Sequence, residues 1–242
     1  MILVGLTYLS RINKLNITQV EVVGNKIVDN DQIITLVKAD LLGKYLYLFP
    51  KTNFLFYPKN KIEADLINNF KRLTNISFSI KNTGTLLIKV SEREGLYTWC
   101  GEVPPQDMNI VQKCYFVDKT GFIFDEAPYF SGEVYFRFYG KLRNNYYIDF
   151  DHYVLFKNNL EAMSLKLSGL YIKEDNGLVF LASTALGVLP EIRFKLGVDL
   201  TKIAENLQTA LTTEPLQTDF RKKYNALKYI DLRFGNKVYY KF

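Results

Sequence analysis

Over the first 93 residues, apolar positions alternate, then recur at helical spacing, then alternate again. Val20 and Val22 alternate with Glu21 in a short strand that stops at Gly24-Asn25. Asp29 and Gln32 follow at capping-box spacing: the Asp29 carboxylate accepts first-turn N–H groups and Gln32 reaches back. Ile33, Ile34, Leu36, Val37 and Leu41 then mark a helix over 31–42, which Gly43 ends. Pro58 starts a second helix, with Asn60 and Glu63 as its cap pair and Ile62, Leu66, Ile67 and Phe70 along one face. Ile76, Phe78 and Ile80, then Leu86, Ile88 and Val90, predict strands at 75–81 and 85–91 around a turn at Asn82-Thr83-Gly84. The order is β-α-α-β-β, in which two amphipathic helices cover one face of a three-stranded sheet and leave the other wet. Between the helices runs an aromatic-rich connector, 44–57, which Pro50 keeps from being one helix. Its aromatics read as core cover, with an exposed docking strip as the alternative.

The second half is richer in strand patterns. They fall at 96–99, 114–117, 133–139, 166–172, 178–181, 192–196, 228–234 and 237–241. Pro104-Pro105 marks a loop over 101–106, and a turn through Gly121 leads into Phe122 and Phe124. Asp175-Asn176-Gly177 and Gly235-Asn236 read as hairpin turns. Helical spacing appears at 152–163 (Tyr153, Phe156, Leu160, Met163) and 200–211 (Ile203, Leu207, Leu211). The predicted fold class is α+β: the β-α-α-β-β unit, then a β-rich domain of mainly antiparallel strands with flanking helices.

Composition agrees with a folded chain, since 48% of the 242 residues are hydrophobic. Seventeen Tyr and 18 Phe favour sheet. The net charge of +6 is spread along the length, so it reads as a solvated basic surface and not as a nucleic-acid patch. Attraction to anionic lipid or cell-wall polymer is the sharper alternative. One histidine, His152, and two cysteines, Cys100 and Cys114, are too few for a structural zinc site. The cysteine spacing allows either one disulfide or a pair of reduced thiols. At the N-terminus, MILVGLTYL is nearly free of polar groups but far short of the roughly 20 residues that span a bilayer. It also lacks the pattern of a signal peptide. An edge element, or the end of an anchor whose beginning is missing, remain as readings.

Particular stretches go further. VEVVGN at the first strand, the helix pair and TLLIKVSER closing the unit resemble a POTRA domain. Val90-Ser91-Glu92-Arg93 followed by Trp99, the segment YFVDKTGFIFDEAP, and YIDLRF before a closing hairpin resemble the FtsQ/DivIB cell-division family. The likeness is strongest at the two ends of the chain and weak from 128 to 189. It implies residues 1–16 as a membrane-proximal remnant of a transmembrane anchor, 17–93 as the POTRA domain and 94–242 as the family's β domain. It also implies a single-pass protein of the cell membrane, with its bulk extracytoplasmic and at the division septum. That location favours a Cys100–Cys114 disulfide.

No catalytic signature stands out. The chain lacks G-x-S-x-G, H-E-x-x-H and the phosphate-binding G-x-x-x-x-G-K-[ST], and His152 reads as a surface or half-buried residue. The expectation is a non-enzyme without metal or cofactor. A C-terminal hairpin can leave an open sheet edge that accepts a partner strand. The resemblance assigns that region to small coiled-coil partners like FtsB and FtsL. The matching positions are Tyr229, Asp231, Arg233, Phe234, Gly235, Asn236, Val238 and Tyr239. Simple alternation points Ile230, Leu232 and Phe234 inward and Asp231 and Arg233 outward. Glu92 is the other matched position, expected to orient the interdomain junction or touch a partner. The resemblance also implies other division proteins docking on the POTRA domain. A docking or chaperone module of a secretion apparatus is the alternative. The sequence given stops at Phe242 without the polar tail of some relatives, so nothing is expected to shield the edge.

Overall fold

The structure, a computed structural model, describes residues 2–82, 84–105, 112–130, 132–182 and 189–242. Thr83 of the expected turn and Gln106 of the expected loop lie outside the described residues. The chain is α+β and divides into two compact units, Met1–Arg93 and Glu94–Phe242.

The first unit opens with a short helix, α1 (Ile2–Ser10), followed by β1 (Gln19–Val23) and α2 (Asn30–Asp40). A small hairpin, β2 (Lys44–Tyr45) and β3 (Phe49–Pro50), leads to α3 (Lys59–Asn69), β4 (Leu73–Lys81) and β5 (Thr85–Glu92). β5 is central in the order β1-β5-β4, parallel to β1 and antiparallel to β4. Ile33 and Val37 of α2, Ile62 and Leu66 of α3, and Leu86 and Ile88 of β5 are fully buried together. Burying each contributes on the order of 1.5–3 kcal/mol. Gly24 lets the chain leave β1: its φ is 99°, and a Cβ there would lie 2.0 Å from the Val90 carbonyl oxygen.

Three local expectations change. Asp29 caps α2 by accepting the Asp31 N–H at 3.1 Å, but Gln32 makes no return bond among the described residues. α3 has Pro58 at its N-cap with no side-chain cap, and Ile67 faces solvent because the buried stripe is only as wide as Ile62 and Leu66. The connector is largely exposed, with Tyr45, Leu46, Tyr47, Leu55 and Phe56 among its surface residues, so core cover holds only for Phe54 and Tyr57. No helix among the described residues is long and apolar enough to cross a membrane.

The second unit contains β6 (Tyr97–Trp99), β7 (Cys114–Val117), β8 (Ile123–Ala127), β9 (Arg137–Tyr139), β10 (Leu142–Arg143) and β11 (Tyr146–Tyr147). Then come α4 (Phe150–Ala162), β12 (Leu167–Lys173), β13 (Asn176–Leu181), β14 (Glu191–Lys195), α5 (Leu200–Leu211) and α6 (Leu216–Lys223). β15 (Tyr229–Phe234) and β16 (Lys237–Lys241) close it. Nine strands form one sheet, in the order β16-β15-β14-β13-β12-β9-β6-β7-β8. Most pairings are antiparallel, but β14–β15, β12–β9 and β9–β6 are parallel, so the sheet is mixed. α4 and α5 lie on one face, where Phe156, Leu160, Ile203 and Leu207 pack with Phe194, Ile192 and Ile230. The expected 133–139 strand shrinks to its last three residues, β9. The β12–β13 turn falls at Glu174-Asp175, which places Asn176 and Gly177 in β13.

Candidate functional site

The C-terminal strands carry the candidate site because they end the sheet. β16 pairs with β15 and stands last in the strand order, so among the described residues no strand covers its outer edge. An edge strand presents a row of backbone N–H and C=O groups without ladder partners. Along β16, Val238 and Tyr240 pack on the core, while Lys237, Tyr239 and Lys241 are exposed. Among the described residues the helices pack on the first of these faces, and the exposed second face forms a lateral platform.

β15 departs from simple alternation, and the departure shapes that platform. Asp231 pairs with Tyr239, but Phe234 pairs with Lys237, so β15 holds one residue more than β16 between those points. Such a bulge turns the residues beyond it to the other face. Phe234 is therefore 55% exposed, against the inward expectation, and sets its ring edge-on to Tyr239 at 5.2 Å. Asp231 keeps the expected outward face, opposite Tyr239, but is only 4% exposed there. Its carboxylate accepts the Arg233 Nε at 2.9 Å and Nη2 at 2.6 Å, and the Arg233 backbone N–H at 3.1 Å. A buried carboxylate needs such donors. Burial pushes the Asp231 carboxyl up, but these bonds and the Arg233 and Arg193 charges outweigh it and hold it below the usual range. The Asp231 bond raises Arg233 in return.

Two residues outside the expected set belong to the same face. Arg193 of β14 lies in register with Asp231, stacks on the Tyr229 ring at 4.2 Å and donates to Glu191 at 2.6 Å. Alternation of Glu191 and Arg193 with the buried Ile192 and Phe194 was the signal that could have found them. Of the expected residues, Tyr229, Asp231, Arg233, Phe234 and Tyr239 thus share one face, Gly235 and Asn236 form the turn, and Val238 faces the core. Asn206 of α5 donates to the Gly235 carbonyl at 3.4 Å and ties the turn down.

Glu92 sits in the first unit and acts locally. Its carboxylate accepts the backbone N–H groups of Lys26, Ile27 and Val28 at 2.7–3.1 Å, closing the loop between β1 and α2. Burial pushes Glu92 up, but these donors and the Arg72 charge hold it below the usual range. Glu92→Ala is therefore expected to cost about 1–2 kcal/mol at neutral pH, discounted for partial exposure. A depressed folded pKa stabilises above the unfolded value, near 4.3, and that contribution is lost as pH falls through the folded value. Urea unfolding of wild type and variant at pH 7 and at steps below about 4.3 should show the gap closing. A gap that stays constant into acid would remove the carboxylate from the account.

Cys100 and Cys114 form a disulfide with a Cα–Cα distance of 4.1 Å. β6 and β7 pair in antiparallel register up to Trp99 and Tyr115, which sets the two cysteines opposite each other. His152 is exposed on α4, in a shallow depression shared with Asp149, Asp199 and Thr201. Among the described residues no group of three or more His, Cys, Asp or Glu could hold a metal ion. No protein-family model matches the chain, and no curated protein matches it.

Proposed function

We propose that this chain is a non-catalytic scaffold of the bacterial cell-division machinery, of the FtsQ/DivIB type. In this reading it is held at the cell membrane with its bulk outside the cytoplasm. It recruits small coiled-coil division proteins by adding one of their strands to β16. The observation that carries the reading is the outer edge of β16, which no strand covers among the described residues, beside the exposed Phe234–Tyr239 pair. The β-α-α-β-β order of the first unit supports its POTRA part.

Magnitudes decide what the edge needs. Each backbone bond to an added strand nets only about 0.5–1.5 kcal/mol. Association costs on the order of 4–15 kcal/mol, so a five-residue ladder alone binds weakly. Covering the exposed halves of Phe234 and Tyr239 adds about 1 kcal/mol each, concentrated at one point, which makes the aromatic pair the anchor. Lys237 and Lys241 flank Tyr239 on the same face and favour a strand with alternate carboxylates.

The test titrates the chain with purified extracytoplasmic segments of FtsB- and FtsL-like proteins. Phe234→Lys is expected to weaken binding at least about tenfold, or about 1.4 kcal/mol. Tyr239→Pro, which removes the Tyr239 ring and a backbone donor of the edge strand, is expected to abolish it. Binding undiminished by both changes sinks strand addition. A fluorescently tagged full-length gene product that never gathers at mid-cell, but associates with an outer-membrane barrel or unfolded client, replaces this reading with the secretion one.

A further inference from the structure

The first unit breaks a local rule at its β2–β3 hairpin. The tip of the β2–β3 hairpin holds Leu46 and Tyr47 in the left-handed region, with φ of 49° and 59°. Turns of this kind select Gly, Asn or Asp, because a Cβ is strained there. Here the strained positions carry two large apolar side chains, 82% and 92% exposed. Strain kept at an exposed apolar tip marks a functional feature, since folding alone would favour Asn-Gly.

The tip is continuous with other exposed apolar residues. Leu55 and Phe56 follow on the same connector, and Leu42 precedes it. The connector is clamped to the segment after α1: the Ile17 N–H donates to the Thr52 carbonyl at 2.7 Å, and the Phe54 N–H to Leu15 at 3.0 Å. Asn53 Nδ2 reaches the Ser10 carbonyl at the end of α1 at 3.2 Å, and α1 packs on β3. The side chains of Leu6, Tyr8, Leu9 and Ile12 on this neighbouring segment are exposed as well.

Charge separates the possible occupants. Residues 5–18 and 41–57 carry Arg11, Lys14, Lys44 and Lys51 and no Asp or Glu. None of these four has an ion-pair partner among the described residues, and Lys51 lies 5.9 Å from the Tyr45 ring centre. Elsewhere the chain mixes signs freely, with 25 acidic residues in all. Protruding aliphatics, tyrosines with apolar bodies and polar tips, and cations without carboxylates are what an anionic lipid interface selects.

We propose that the β2–β3 hairpin, with the adjoining α1 segment, docks on an anionic bilayer surface, inserting Leu46 and Tyr47 and setting Lys44 and Lys51 among the headgroups. This second attachment goes beyond the strand-adding edge and stands independently of it. A tether through α1 alone would leave the first unit free to rotate, whereas a docked hairpin fixes which of its faces points to the lipid.

Flotation of the full chain with vesicles tests it, using phosphatidylcholine alone or with phosphatidylglycerol at about one part in three. The chain should float with the anionic vesicles and far less with the neutral ones. Leu46→Ser with Tyr47→Ser should cut partitioning about tenfold on anionic vesicles. Its melting temperature should not fall, because the changed residues are exposed and strained. Lys44→Gln and Lys51→Gln should each cost about fivefold, on anionic vesicles only. Equal flotation of tip variant and wild type would assign attachment to α1 and overturn the proposal. So would a dimer of the wild type, dissolved by the tip substitutions in sedimentation, since the patch would then be an interface between copies. Phe234→Lys should leave flotation unchanged, so failure of the edge and failure of the hairpin are separable.

Discussion

Replacing both Cys100 and Cys114 by alanine is expected to lower the unfolding free energy of the chain by about 3 kcal/mol. The bond closes a loop with a sequence separation of 14, and cross-linking a loop of that size removes about that much chain entropy from the unfolded state. Cys100 is also fully buried, with Tyr139 and Tyr171 around it and Cys114, Leu178 and Phe180 packed against the group. The pair therefore fastens the face of the sheet opposite α4 and α5. Against a total stability of about 5–15 kcal/mol, the loss is large. Denaturant unfolding of wild type, with and without reductant, and of the double variant gives the comparison: reduced wild type should unfold near the variant. A shift below about 1 kcal/mol would mean that the loop stays constrained in the unfolded chain. Disulfides persist outside the cytoplasm, so recovery of the native protein with both thiols blocked to alkylation would also support the proposed extracytoplasmic location.

Where contacts are local, the sequence was readable. Ile33 and Val37 of α2, Ile62 and Leu66 of α3, and Leu86, Ile88 and Val90 of β5 all follow from their spacing. In α4 and α5 the buried Tyr153, Phe156, Leu160, Ile203 and Leu207 do too. Parallel pairing was not readable. β9 meets β6 and β12, and β14 meets β15, across long stretches of chain, and such pairs leave no turn signature. The candidate edge was half legible. Its strands and Gly235-Asn236 turn follow from pattern, and so does the facing from Ile230 to Arg233, but one inserted residue between Asp231 and Phe234 turns Phe234 outward. The Asp231–Arg233 pair that accompanies the bulge shows only in three dimensions. Glu92 was picked out by resemblance, while its three backbone donors lie 64–66 residues away in sequence.

Asn176-Gly177 misled because that dipeptide is the commonest hairpin signal, yet the glycine here answers to packing. Gly177 lies in β13 directly beside Phe194 of β14, and a Cβ on it would stand 2.0 Å from Phe194 Cζ and 2.5 Å from both Cε atoms. The ring has no room to yield: Phe194 is fully buried and packs on Phe156 at 5.0 Å. Gly177→Ala is accordingly expected to cost about 3 kcal/mol, the upper end for overpacking. Phe194→Leu should recover part of that loss in the double variant, because the two residues share one space and their effects cannot add. Denaturant midpoints of the four proteins measure the coupling. Additive losses, or a cost below about 1 kcal/mol for Gly177→Ala, would show that the ring moves freely. The expected effect reaches the candidate edge as well. Phe194 lies on β14, which holds β15 in parallel register through Ile192 and Ile230 and sets Arg193 beside Asp231. Displacing the ring shifts the strand that supports the platform, so partner binding at β16 should weaken in Gly177→Ala and return in the double variant.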